Sequence, residues 1–264
     1  MKSSKEFDEN RINIRKLKNK HLGQDCFIIG NGPSLKNVDL NIFNDYYTFA
    51  TNKIYLIFDK IEWRPTYYIA YDHLVVKQGV SDIDKITTSS FIGTTKSVKK
   101  FFYKEVYPKL SKRENRYIFH VNDTISFGGF DISEEMGLGT VTNAALQIAY
   151  YMGFKRVFLV GVDHNYTYKG TQTIPELMIG NDPNHFLPSY FKDEIWLPPD
   201  KKQTEAALTL TKYYYEASNR SIKNATENSK LEIFHKISLD EAFNECLKKN
   251  TPNLDINFTG EIIR

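Results

Sequence analysis

The stretch Cys26-Phe27-Ile28-Ile29-Gly30-Asn31-Gly32-Pro33-Ser34-Leu35 decides the fold. Its four apolar residues read as a strand buried on both faces, the habit of a parallel sheet. Gly30 and Gly32 allow a sharp turn and a close backbone approach. Pro33 has the fixed φ of a first helical position, and Asn31 and Ser34 can bond free amides or an anion. A strand, a small-residue turn and a helix start together predict a phosphate-binding corner. The same residues also read as an ordinary tight strand-to-helix turn. Leu35 stands where the dinucleotide fingerprint has its third glycine, which disfavours a nicotinamide or flavin site.

Working outward, four more strands are expected before residue 125. They cover 46–51 ending at Asn52, 66–71 ending at Asp72, 90–94, and 116–121. A basic, aromatic helix is expected from Lys96 to Tyr107. A second strong unit begins at Gly137-Leu138-Gly139-Thr140-Val141-Thr142, where a Gly/Thr-rich turn opens an alanine-rich helix that Gly153 closes. The apolar run 156–161 follows and ends in Val162-Asp163-His164-Asn165-Tyr166. Residues 167–200 lack periodicity and are rich in Pro, Gly, Asn and aromatics, which predicts a lid-like loop. A helix over 204–219, a short strand over 221–226 and a helix over 239–247 complete the pattern. Strands alternating with helices predict a doubly wound α/β domain with a mostly parallel sheet and helices on both faces. The expected division is a basic N-terminal helix over 1–23, the catalytic domain over 24–249 and a tail over 250–264.

Composition bounds the function. Hydrophobic residues make up 41% of the chain, enough for a sizeable core, and the net charge of +3 is too balanced to argue for nucleic acid. Cys26 and Cys246, far apart and outside any metal spacing, suit a reducing compartment. No apolar run reaches membrane-spanning length and no apolar signal region opens the sequence, so the expected place is the cytoplasm. Residues 4–20 read as a solvated helix packed lightly on the domain, and Arg11, Arg15, Lys16, Lys18 and Lys20 read as its wet face, or alternatively as a peripheral contact at the inner membrane face.

Asn31, Asn52, Asp72, Asp163 and Asn224 all fall at carboxyl ends of expected strands, where a doubly wound sheet binds its ligand. Asp72 and Asp163 could hold ribose hydroxyls or magnesium, or take a proton, and either could simply cap a helix or shape a turn. His164 and His185 are the candidate bases, while Tyr166 and Tyr168 could donate to a departing phosphate. In a chain with 17 tyrosines, packing is the ordinary role of any one of them. No zinc-spaced His/Cys cluster, nucleophile elbow or P-loop is present.

Gly30-Asn31-Gly32-Pro33-Ser34-Leu35-Lys36, Asn52 and the run from Ala149 to Asp163 resemble two related groups. One is the family of bacterial CMP-sialic-acid-dependent sialyltransferases with a Rossmann-like domain and a lid. The other, more similar, is the 6-hydroxymethylpterin diphosphokinase-like family, through Gly139-Thr140-Val141-Thr142, Gly161-Val162-Asp163-His164, Asn184-His185-Phe186 and Asn224-Ala225-Thr226. The resemblance implies a Rossmann-like fold. Its sialyltransferase side implies that Asn31, Gly32 and Ser34 line the phosphate of CMP and that Asn52 contacts the nucleotide or sugar. It further implies that Thr140 and Thr142 meet the sugar carboxylate, and that Gly161 and Asp163 hold the ribose and cytosine. That family's asparagine at the third strand end is Asp72 here, and its lid histidine falls on Ser189; His185 matches a second histidine of the segment.

The resulting expectation is a glycosyltransferase of bacterial surface-glycan assembly. It would use a CMP-activated acid sugar, require no cofactor, and act on a glycan or lipid-linked glycan acceptor. His185 or His164 would be the base, with Asp163, Tyr166 and Tyr168 assisting. The alternatives are an ATP-dependent pyrophosphokinase of a pterin-like alcohol, with magnesium on Asp72 and Asp163, and a non-catalytic nucleotide-binding module.

Overall fold

The computed structural model describes residues 4–168 and 172–249; the tail over 250–264 lies outside the described residues. Its strands are β1 (Asp25–Ile29), β2 (Thr48–Thr51), β3 (Tyr67–Ala70), β4 (Ser89–Thr95), β5 (Arg116–Val121), β6 (Arg156–Val160), β7 (Glu176–Leu177), β8 (Ile195–Trp196), β9 (Ser221–Asn224) and β10 (His235–Lys236). Its helices are α1 (Ser4–Arg15), α2 (His73–Gln78), α3 (Val80–Lys85), α4 (Lys99–Phe101), α5 (Val141–Tyr151), α6 (Lys201–Ala217) and α7 (Leu239–Glu245).

Eight strands form one sheet in the order β10-β9-β6-β1-β2-β3-β4-β5, and every pairing in it is parallel. The chain winds one way from β1 to β5 and the other way from β6 to β10. The switch point therefore falls between β1 and β6, as the doubly wound Rossmann-like expectation requires. β7 and β8 form a separate antiparallel ribbon inside the long insertion.

The strand period of two sorts β1 between two cores. Cys26 and Ile28 pack on one face with α5, while Phe27 and Ile29 pack on the other with Phe43, Phe158 and Tyr190. Small side chains let α5 lie close on the sheet: Ala144, Ala145 and Ala149 are all buried. The helix closes at Gly153, whose φ of +93° is one that L side chains rarely adopt. At the amino ends of the strands, Arg156 grips Asp25 with two bonds of 3.0 and 2.6 Å, fixing the β1–β6 register.

Three local expectations are corrected. The segment after β1 is a five-residue 3-10 helix, Pro33–Asn37, rather than the start of an α-helix. The helix expected over Lys96 to Tyr107 is broken into a 3-10 turn, the short α4, a π turn over Phe102–Val106 and a further 3-10 turn that contains Pro108. The N-terminal helix is docked firmly. Ile14 and Leu17 are buried, and the Asn10 amide pairs with both backbone groups of Ile118 on the edge strand β5. Arg11 and Arg15 both pair with Glu134, and Arg15, Lys16, Lys18 and Lys20 are exposed. No helix among the described residues is long and apolar enough to cross a membrane.

Candidate active site

A crevice of about 420 Å³ opens at the carboxyl ends of the strands. This size suits a small-molecule site, commonly about 300–1,000 Å³. Gly30, Asn31 and Gly32 after β1, Asn52 after β2, Asp72 after β3, and Gly161, Asp163, His164 and Tyr166 after β6 line it. Thr140 and Thr142 line it from the start of α5, and His185, Tyr190 and Trp196 from the insertion. The structure thus brings together most of the expected site residues.

Three stand apart from the lining. Ser34 is behind Asp163. Tyr168 accepts from Gln172 at 2.8 Å and is absent from the crevice wall. Asn224 is fully buried, donating to Ser229 and accepting from the amide of Thr226, so it shapes a turn.

The first corner differs from the open phosphate cradle that the sequence predicts. The amides of Gly30 and Gly32 donate to the carbonyls of Val160 and Gly161, each at 2.8 Å. Ser34 donates its amide and its hydroxyl to the two oxygens of Asp163, at 2.9 and 2.7 Å. The Asn31 Nδ2 donates to the carbonyl and hydroxyl of Thr51, both at 2.9 Å. These donors are spent inside the protein. Gly32 leaves room for the carboxylate: a Cβ there would stand 1.9 Å from Asp163 Oδ2. Burial raises the Asp163 carboxyl above its usual range, against the pull of the Ser34 bonds and of nearby His185.

What this corner offers is acceptors. Asn31 Oδ1 and Asn52 Oδ1 are buried and have no hydrogen-bond partner. Thr51 fixes the direction of the Asn31 amide, so its carbonyl oxygen is the unengaged end. A carbonyl oxygen can only accept, so these two atoms call for ligand hydroxyls, amino groups or a cation. Asn52 adopts φ +47°, a left-handed conformation that asparagine tolerates better than most residues. Asp72 caps α2 with Oδ1, which accepts from Leu74 at 2.9 Å and Val75 at 3.1 Å. Its Oδ2 has no such bond.

The anion-favouring element is α5. Thr140 is its N-cap, accepting from Asn143 at 3.4 Å, and the first-turn amides at this end carry the positive pole of the helix. Thr140 and Thr142 add hydroxyls to that wall. A phosphate or sugar carboxylate therefore fits here better than at the Asn31 corner.

The two histidines differ. His164 has φ +54° and is buried, with Nε2 3.0 Å from Glu205 on α6. His185 lies flat on Tyr190, with ring centroids 3.9 Å apart and planes 3° from parallel. Its Nδ1 is 2.7 Å from Asp182 Oδ2, a carboxylate whose side chain is 0% exposed. That pairing makes Nδ1 the protonated nitrogen and leaves Nε2 as the basic one. Asp182 was missed as a site residue, although its spacing of three from His185 in a polar loop was a readable signal. Tyr166 packs edge-on to His164, and burial pushes its phenol up to about 12.

Among the described residues, no group of three or more His, Cys, Asp or Glu side chains could hold a metal ion. Asp163 has both oxygens engaged by Ser34. Magnesium would find unengaged protein oxygens at Asp72 Oδ2, Asn31 Oδ1 and Asn52 Oδ1, with ligand phosphates and water completing the shell, a common arrangement for this ion.

Fold and crevice together define a class: an α/β Rossmann-like protein whose switch-point site suits a ligand carrying both an anionic group and hydrogen-bond donors. Residues 2–169 match the family model described as 6-hydroxymethylpterin diphosphokinase MptE-like, and the chain belongs to this MptE-like family. The description supports a transferase in the broad sense. It carries the diphosphokinase-like side of the resemblance, not the sialyltransferase side. The matched span ends before Asp182 and His185. No curated protein matches the sequence.

Proposed function

We propose that the protein transfers an acid sugar from a CMP-activated donor to a hydroxyl of a glycan or lipid-linked glycan, in the cytoplasm, during bacterial surface-glycan assembly. The observation that carries this reading is the His185–Asp182 pair at the crevice wall, the arrangement of a general base held in one tautomer by a buried carboxylate. His185 Nε2 takes the proton of the acceptor hydroxyl. The oxygen bonds to the anomeric carbon as the bond from that carbon to the phosphate oxygen breaks, and CMP leaves with the electron pair. The start of α5, with Thr140 and Thr142, holds the sugar carboxylate or the leaving phosphate. Tyr166 stays protonated at neutral pH and can donate to the phosphate. Asn31 Oδ1 and Asn52 Oδ1 accept from ribose hydroxyls or the base amino group. Lys16, Lys18 and Lys20 are the cations that a peripheral membrane contact would use.

The family description favours a second reading, pyrophosphate transfer from ATP to a pterin-like alcohol. Magnesium would there be held by Asp72 and the ligand phosphates, offsetting phosphate charge. His185 would serve the alcohol in the same way.

Release of CMP from CMP-sialic acid tests the first reading. The wild type releases CMP, and H185Q does so about 100- to 10,000-fold more slowly with unchanged CMP affinity. Equal rates would contradict His185 as the base.

A further inference from the structure

Lys53 is an oddity of the crevice's surroundings. It directly follows Asn52, its side chain is only 4% exposed, and it does not line the crevice. A buried lysine requires partners, and this one finds them all in the insertion. Its Nζ donates to the carbonyl of Tyr190 at 3.1 Å, pairs with Glu194, and sits 4.3 Å from the centre of the Phe191 ring. Its backbone amide donates to the Tyr190 hydroxyl, also at 3.1 Å. Tyr190 is therefore gripped at its backbone and at the tip of its ring by one residue.

The face of that ring is the surface on which His185 lies. Asp182 fixes the direction of the imidazole within its plane, and Tyr190 fixes the plane itself. Phe191 and Trp196 meet the ring edge-on, at 5.2 and 6.4 Å.

We propose that Lys53 is the positioning residue for His185, acting through Tyr190. It ties the nucleotide-facing end of β2 to the segment bearing the base, so that Asn52 and His185 keep one spacing. This rests on the reading of His185 as a base, and it assigns Lys53 no contact with the substrate. The charge of Lys53 serves to hold the insertion rather than to bind phosphate. Misplacing a reacting group by about 1 Å costs on the order of a hundredfold in rate.

The test is the imidazole nitrogen spectrum of His185 by NMR, recorded across pH in the wild type, K53M and D182N. The wild type should show a single Nδ1-protonated tautomer. K53M, folded by circular dichroism, should show exchange broadening or mixed tautomers, and its release of CMP from CMP-sialic acid should slow about 10- to 100-fold with the KM unchanged. If K53M does not fold, E194Q is read in its place. Glu194 is 42% exposed, and a weaker change in the same direction is expected. An unchanged His185 spectrum in a folded K53M or E194Q overturns the proposal. Failure of the base reading is distinct: H185Q would then keep full turnover whatever K53M did to the spectrum.

Discussion

Ser34 and Asp163 are joined twice, amide to Oδ1 at 2.9 Å and hydroxyl to Oδ2 at 2.7 Å, across the switch point of the sheet. A carboxylate from the end of β6 fills the place at the end of β1 where a ligand phosphate was expected. The small residues of Gly-Asn-Gly-Pro-Ser thus make room for an internal anion, while Asn31 Oδ1 and Asn52 Oδ1 are left without hydrogen-bond partners.

This closure predicts coupling between Gly32 and Asp163. Gly32 has φ −67° and ψ 164°, open to any residue, so space alone excludes a side chain. G32A should destabilise the protein by about 1–3 kcal/mol in urea unfolding, as overpacking does. D163A should also destabilise, but the double variant should be more stable than the sum of the singles predicts, by at least about 0.5 kcal/mol. Strict additivity would mean that the two positions do not meet.

At Asn52 the backbone can be separated from the side chain. Glycine accepts φ +47° without strain, so N52G should keep stability within about 1 kcal/mol while weakening nucleotide binding about tenfold. The Tyr68 hydroxyl bond to the Asn52 carbonyl survives this change. Calorimetric affinity equal to that of the wild type would remove Asn52 from the ligand.

His21 predicts a pH dependence of stability. It is buried, bonded to Gln24 and Tyr67 and stacked on Phe154, and burial lowers its pKa from 6.5 to about 4. Between those values the unfolded chain binds a proton that the folded chain refuses. Stability should therefore fall as pH drops from about 6.5 to 4, by on the order of 2–3 kcal/mol, and no further on this account below that. H21Q should flatten this part of the curve. Thermal unfolding at stepped pH measures it, and an unchanged slope in H21Q would contradict the assignment.

Much of this fold was legible because apolar runs of four to six residues ending in polar ones mark buried parallel strands. Most of the crevice lining was legible too, since strand ends converge on the switch point whatever the details, but Ser34, Tyr168 and Asn224 stand outside it. Two-residue strands such as β7, β8 and β10 have too few positions for any period to show. The broken helix after β4 failed because an apolar pattern does not report whether each turn closes as α, 3-10 or π. The roles of Asp163 and Lys53 were out of reach. Each depends on a partner more than a hundred residues away, Ser34 in one case and Tyr190 in the other. The acceptor character of Asn31 likewise depends on Thr51 across the β1–β2 pairing.

The most direct test of the central claim is calorimetric titration of the wild type with CMP and with ATP, each with and without magnesium. The account predicts that CMP binds more tightly than ATP, that its affinity does not change on adding magnesium, and that N31A weakens it. ATP binding more tightly, and only with magnesium, would contradict the CMP-sugar reading and favour pyrophosphate transfer.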